Sequence, residues 1–272
     1  MHRNNQNFDL FISLGSACFC TQALRSSSLQ FQSYPFDWLA GANFLDRAKI
    51  ITSDFEDWLK KEYLEYVGER EHPEPKKIFR NTKTDITFNH DFSIDEELDK
   101  SYPQVKEKYD RRINRLINNI KNSNRVLLVY CELPGTDNAV DDDTLIQGYN
   151  LLKEKFPYTD IHILYGINLP QIKYKKRIEI KITNNITRFG FDYNAYNPEE
   201  PLLVNKDKLS QYFTKYSITT KFLTKQNIKQ RRLEKIQKFL QQIICTKNNK
   251  NHKCITIFGI KISIRRKKTI PA

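Results

Sequence analysis

The chain has 272 residues, 39% apolar and 12% aromatic, which is enough to build a core and to exclude global disorder. Its net charge of +13 sits in one place. Residues 221–272 hold 15 of the 45 Lys and Arg and one acidic residue, Glu234, for +14, while the first 220 residues, with 30 basic and 31 acidic, carry −1. The charge belongs to a tail, and nucleic-acid binding is disfavoured because aromatic residues do not interleave with the basic ones.

No apolar run reaches the roughly 20 residues that span a bilayer. The apolar run at 10–14 is too short for a secretion signal, so the expected compartment is the cytoplasm, with the inner face of the membrane as the one variant. The cysteines at 18, 20, 131, 245 and 254 then read as reduced thiols. Cys18 and Cys20 have no second close pair, so no metal site and no cofactor is expected.

In chain order, DLFISL at 9–14 reads as a buried strand and 17–28 as a helix, with Gly15-Ser16 as the turn between them. Residues 29–40 form an irregular aromatic segment in which Pro35 biases Tyr34 toward an extended backbone. A short helix starting at Ala42 or Asn43 runs through Ile50. Ser53-Asp54 then offers an N-cap for a second helix, DFEDWLKKEYLEY, with Glu56 placed for a capping box. Residues 68–75 read as a loop, and KKIFRN and DITFNHDF as a hairpin.

Pro103–Asn122 is the clearest helix, with Val105, Tyr109, Ile113, Leu116 and Ile120 on one face and Lys106, Arg111, Arg112 and Arg115 solvated on the other. RVLLVYC at 125–131 and IHILYGI at 161–167 read as buried strands, separated by a loop holding Pro134, Gly135, Asp137 and Asn138 and a helix over Asp141–Phe156. RIEIKIT at 177–183 alternates and belongs near a sheet edge. TRFGFDYNAYNPEEP reads as a loop and Leu202–Tyr216 as a helix. An apolar stripe of Ile228, Ile236, Phe239, Leu240, Ile243 and Ile244 marks a basic amphipathic helix. A polar linker at 247–253 and a small hairpin turning at Phe258-Gly259 complete the chain.

The expected fold is α/β, a mixed and mostly parallel sheet flanked by helices, with a papain-like α+β arrangement as the alternative. The expected domains are 1–220, a catalytic-type α/β unit, and 221–272, the helix and hairpin tail. In such a sheet the loop after a strand's C-terminal end carries the site, and the Gly-Ser-Ala-Cys turn lies there.

Cys18 therefore stands at a helix N-terminus, where unpaired N–H groups and the helix dipole favour a thiolate. A thiolate needs a base. His2 is terminal, His72 lies in an acidic Pro-rich loop, His162 reads as a core residue and His252 sits in the linker, which leaves His90. Asp37, and after it Asp91, are the candidates to orient the base. Backbone N–H groups after Gly15 suit an oxyanion hole. Gly15, Ser16, Trp38 and Asp91 form the expected substrate-binding set. The bland alternatives are a packed Cys18, a His90 bonded to its own loop, and an Asp37 that only holds the aromatic segment.

Taken together, SLGS-Ala-Cys at 13–18, PFDW at 35–38, the DFEDWL segment, F-x-HD at 88–91 and the Arg-rich RR-x-x-R run at 111–115 resemble a bacterial family named as papain-like cysteine peptidases, a domain of unknown function. The resemblance covers residues 9–170. It implies Cys18 as nucleophile and His90 as base, in a hydrolase or a thiol-dependent acyl transferase acting on a peptide, acyl or glycan substrate. Ala17 stands where family members often have Asn. The tail CITIFGIKISIRRKK resembles the ends of bacterial surface-polysaccharide glycosyltransferases. That implies the alternative function, glycan assembly or transfer with a thiol that is not catalytic. The basic helix before the tail suits an anionic membrane surface.

Overall fold

The computed structural model describes residues 6–71, 74–132, 139–169, 178–191, 209–249, 252–257 and 260–265. The chain divides into two compact units, Met1–Phe222 and Leu223–Ala272. The first opens with β1 (Gln6–Phe8), β2 (Leu10–Gly15), α1 (Cys18–Ser26), β3 (Leu39–Gly41) and α2 (Phe44–Thr52). After a 3-10 turn at Lys61–Tyr63 come β4 (Leu64–Arg70), β5 (Lys76–Asn81), β6 (Ile86–Ser93) and α3 (Leu98–Lys121). It continues through β7 (Arg125–Cys131), α4 (Asp142–Lys155), β8 (Asp160–Asn168), β9 (Ile178–Lys181), β10 (Ile186–Phe191) and β11 (Tyr216–Ile218).

The central sheet has the order β2-β7-β8-β10-β9, parallel except for β9. The mixed, mostly parallel α/β fold read from the sequence is the fold the chain adopts. Its inner strands β2 and β7 are almost wholly apolar because both faces are covered, with Leu10–Gly15 and Val126–Cys131 fully buried. Helices α2 and α4 start where the sequence offers caps: Asn43 accepts from the Asp46 N–H and Asp141 from the Thr144 N–H. β9 is the exposed edge that its alternation predicts. Residues 187–191, expected as loop, instead pair with β8 as part of β10, since Phe189 is buried against the sheet. The expected loop at 134–138, residues 192–201 and the first part of the Leu202–Tyr216 helix lie outside the described residues. Residues 209–213 are helical, and Tyr216 already belongs to β11, paired with β1.

A second, antiparallel sheet has the order β3-β6-β5-β4, with α3 against β6. Here the expected helix over 54–66 does not form. Asp54 and Phe55 both take positive φ, and Ser53 ends α2 rather than capping a new helix. The tight turn lets Phe55 and Trp58 enter an aromatic cluster in which Trp58 packs edge-on against Phe36, Phe55, Phe88 and Tyr109 at centroid distances of 5.1, 5.2, 5.8 and 5.7 Å. Leu64–Arg70 then finds a ladder partner in β5, so the loop expected at 68–75 begins as strand. Helix α3 starts at Leu98, five positions before Pro103. The cluster joins the Pro-Phe-Asp-Trp segment, the hairpin and α3 into one core.

In the second unit, α5 (Lys225–Ile243) is followed by a three-stranded antiparallel sheet of β12 (Ile244–Asn249), β13 (His252–Ile257) and β14 (Ile260–Arg265). The described residues of the tract expected as a flexible linker, 247–249 and 252–253, are strand, because polar residues still supply backbone groups for the β12–β13 ladder. The turn at 258–259 lies outside the described residues. Among the described residues no helix is long and apolar enough to cross a membrane.

Candidate active site

The site is built at the C-terminal end of β2, beside that of β7. Gly15 has φ +105°, and a Cβ there would lie 2.3 Å from Arg47 Nη1. The Gly15–Ser16 peptide bond is cis. Ser16 is fully buried, and both its N–H and its hydroxyl donate to the Cys131 carbonyl at 2.9 Å, tying the two strand ends together. The Gly15 N–H donates to Ser13 Oγ. The Ser16 N–H, the first of those expected to form an oxyanion hole after Gly15, is therefore engaged within the fold. Those of Cys18 and Phe19, at the start of α1, favour the charged form of the Cys18 sulfur.

Cys18 is the first residue of α1 and is partly exposed, whereas Cys20 is buried with its sulfur 3.7 Å from the Val129 carbonyl. The position of Cys18 favours a thiolate, yet its pKa is raised, because burial outweighs the two backbone N–H groups and the positive charge of Arg70. The resting group is a thiol.

His90 lies near the end of β6. The antiparallel register Leu39↔Phe88 sets the preceding Trp38 beside it, with ring centroids 6.2 Å apart. Arg70 reaches across from β4, with Nη1 at 2.7 Å from Nδ1 and 3.0 Å from Nε2 of His90. Burial first, then Arg70, lowers the His90 pKa, so the ring is neutral at pH 7 and presents an acceptor nitrogen to the guanidinium. Among the described residues Cys18 and His90 share no hydrogen bond; Arg70, whose charge acts on both, connects them.

Asp37 is fully buried. Its carboxylate accepts from Gln30 Nε2 at 2.8 and 2.9 Å, from the Tyr34 N–H at 3.0 Å and from Arg25 at 3.3 Å. Its bonds hold the aromatic segment and Arg25 rather than His90. Gln30 also accepts from the Ser13 N–H, so this network reaches β2. Burial raises the Asp37 carboxyl to about 6, even with these donors. Asp91 is paired with Lys108 and accepts from Tyr109 at 2.9 Å, which locks the end of β6 onto α3. Two of the expected solvated residues of α3 are also engaged: Arg115 donates to the Ser33 carbonyl at 2.8 Å, and Arg112 lies over Tyr109.

Four residues around the site carry no motif that sequence reading could use. Arg47 is fully buried and donates to the carbonyls of Leu14, Leu39, Gly41 and Ala42, between the rings of Phe36 and Tyr130. Burial pushes its pKa down to about 10, and it clamps the β2 turn to the aromatic segment. Arg25 lies over Trp38 at 5.5 Å. Arg70 and Gln30 complete the set. The spacing of Cys18 and Arg25, two helical turns, was the one signal available for any of them.

A partly exposed thiol at the head of the first helix of a parallel sheet is a position from which a cysteine-dependent enzyme can present its nucleophile. The family described as "Putative papain-like cysteine peptidase (DUF1796)" matches residues 9–165, and the chain belongs to it. An uncharacterized protein of Acanthamoeba polyphaga mimivirus is 29% identical over 208 residues, which are 70% of this chain and 92% of that protein. No solved structure matches the chain.

Proposed function

We propose that the protein is a cysteine-nucleophile hydrolase acting on a peptide bond, with Cys18 as nucleophile and His90 as base. The observation that carries this reading is the placement of Cys18 as the first, partly exposed residue of α1 just beyond the C-terminal end of β2, with the Arg70 that contacts His90 favouring its charged form. On substrate binding the thiol proton passes to His90, the sulfur attacks the carbonyl carbon, and the negative oxygen is held by N–H groups at the start of α1. His90 then gives the proton to the leaving amine, and water releases the acyl group from sulfur. Asp37 acts here as a positioning residue, fixing Arg25 and the segment that carries Trp38.

The test is Cys18→Ala and Cys18→Ser, with labelling by iodoacetamide at pH 8.5 and cleavage of a fluorogenic peptide library. Loss of labelling and of cleavage in both is expected. Full activity in Cys18→Ser would overturn the nucleophile and favour the glycan-transfer alternative. In the second unit, Leu233 and Ile236 are exposed on α5 among Arg and Lys residues, which supports docking on an anionic bilayer. Flotation with phosphatidylserine vesicles should be lost in Leu233→Asp/Ile236→Asp; equal flotation would refute docking by this face.

A further inference from the structure

We propose that the chain holds a second binding site, for a neutral polyhydroxyl molecule of about one sugar unit, in a pocket between α2, the turn at 53–58 and the turn joining β5 to β6. The proposal does not depend on the nucleophile reading above. The pocket has a volume of about 360 Å³, within the roughly 300–1,000 Å³ of small-molecule sites. Two residues that line it carry a buried polar atom with no hydrogen-bond partner among the described residues: the indole N–H of Trp58 and the hydroxyl of Thr84. Trp58 is 2% exposed, and the edge-on rings of Phe36, Phe55, Phe88 and Tyr109 fix its indole, so the N–H cannot turn to another acceptor. Folded proteins pair nearly all such groups, so these two call for a partner from outside the chain. The walls are also held in uncommon backbone conformations. Asp54 and Phe55 in the first turn and Asp85 in the second all take positive φ, and non-glycine residues held this way cluster at ligand sites.

The charges around the pocket select the class of ligand. Asp46, Asp57 and Asp85 line it, and each already has a cation: Lys49 at 3.5 Å, Lys60 at 2.8 Å and Arg80 at 2.6 Å. Lys49 and Lys83 line it as well. An anion would meet three carboxylates and a cation two ammonium groups, so the lining favours neither. Among the described residues no three acidic, His or Cys side chains converge to hold a metal ion. An apolar ligand would leave the indole N–H and the Thr84 hydroxyl unpaired at the cost of two hydrogen bonds. A hydroxyl suits every one of these groups. It accepts from the indole N–H or an ammonium, and it donates to a carboxylate, which keeps lone pairs beyond those its own cation uses. Phe55 and Ile50 supply the apolar wall for the C–H face of the ring.

The experiment titrates the isotope-labelled full chain with D-glucose, D-galactose, D-mannose and myo-inositol. It follows the indole N–H resonances of the two tryptophans, Trp38 and Trp58, assigned with Trp38→Phe. At least one probe should move the Trp58 resonance downfield with a Kd of about 1 mM and leave Trp38 in place. Thr84→Val keeps the shape of the wall and removes the hydroxyl, and should weaken binding about tenfold. Asp46→Ala removes a side chain that is 42% exposed, which spares the fold, and should weaken binding about threefold. A Trp58 resonance that no probe moves overturns the proposal. Movement of Trp38 instead puts the sugar at the Cys18 site and overturns it too. Equal affinity in both variants places the sugar elsewhere, with the same consequence. Acetate or methylammonium moving Trp58 at a lower concentration than every sugar overturns the neutral polyhydroxyl class.

Discussion

Replacing Gly15 with alanine puts a Cβ 2.3 Å from Arg47 Nη1 and 2.7 Å from its Cζ, in a backbone with φ +105°. The left-handed backbone costs a β-carbon about 1–2 kcal/mol. Arg47 has nowhere to go, being fully buried between Phe36 and Tyr130. Displacing it weakens its bonds to the Leu14 and Gly41 carbonyls, at about 1.5–3 kcal/mol each for a charged donor. The total is about 4–8 kcal/mol against a typical domain stability of about 5–15 kcal/mol. Urea denaturation followed by tryptophan fluorescence measures it, for Trp58 sits in the core that this clamp closes. In an Arg47→Ala background the clash is gone, and Gly15→Ala should cost only the backbone strain, about 1–2 kcal/mol. A double-mutant cycle with no coupling between the two sites would refute the clamp and leave the glycine a purely conformational requirement.

Three further outcomes follow from the charges. Because burial raises the Cys18 pKa, its iodoacetamide rate should keep climbing from pH 7 through the ordinary thiol value of 9.0, and Arg70→Gln should slow it further at pH 8; a plateau below pH 8 would contradict a resting thiol. The Asp37 carboxyl is raised from 3.8 to about 6, so between these values the folded chain keeps a proton the unfolded chain has lost. Its contribution is most favourable below pH 3.8, is lost as pH rises through about 6, and leaves a cost of about 3 kcal/mol at pH 7. Urea midpoints for Asp37→Asn should lack this slope, and an unchanged slope would assign it elsewhere. Asp91→Ala strips Lys108 of its partner and the fully buried Tyr109 hydroxyl of its acceptor, for a loss of about 2–3 kcal/mol in urea denaturation; a loss under 1 kcal/mol would mean the pair is replaceable by water.

The residues that proved legible are those whose neighbours in space are also neighbours in sequence. The run Leu10–Gly15 is apolar throughout, Asn43 precedes its helix by one position, and Val105, Tyr109, Leu116 and Ile120 keep helical spacing. Cys18 at the head of α1 and His90 on the hairpin came from the same local logic. The segment 54–66 misled because its cap and its charges satisfy helix rules, while the burial of Phe55 and Trp58 against Phe36 and Phe88 outweighed them. Residues 187–191 misled because two glycine-flanking aromatics look like loop until β8 supplies a ladder.

The sequence by itself determined the alternation of buried strands and amphipathic helices, and with it the turn that presents Cys18. Only the tertiary structure decided what surrounds that thiol. Arg47 bonds a carbonyl 33 positions away, and Arg70 meets a histidine 20 positions away across β5. An arginine carries no periodicity that says whether its charge faces water, a carbonyl cage or an imidazole. That choice is made when the two sheets close on the aromatic segment, and it left Cys18 a partly buried thiol in the field of Arg70 rather than the thiolate a helix N-terminus alone would give.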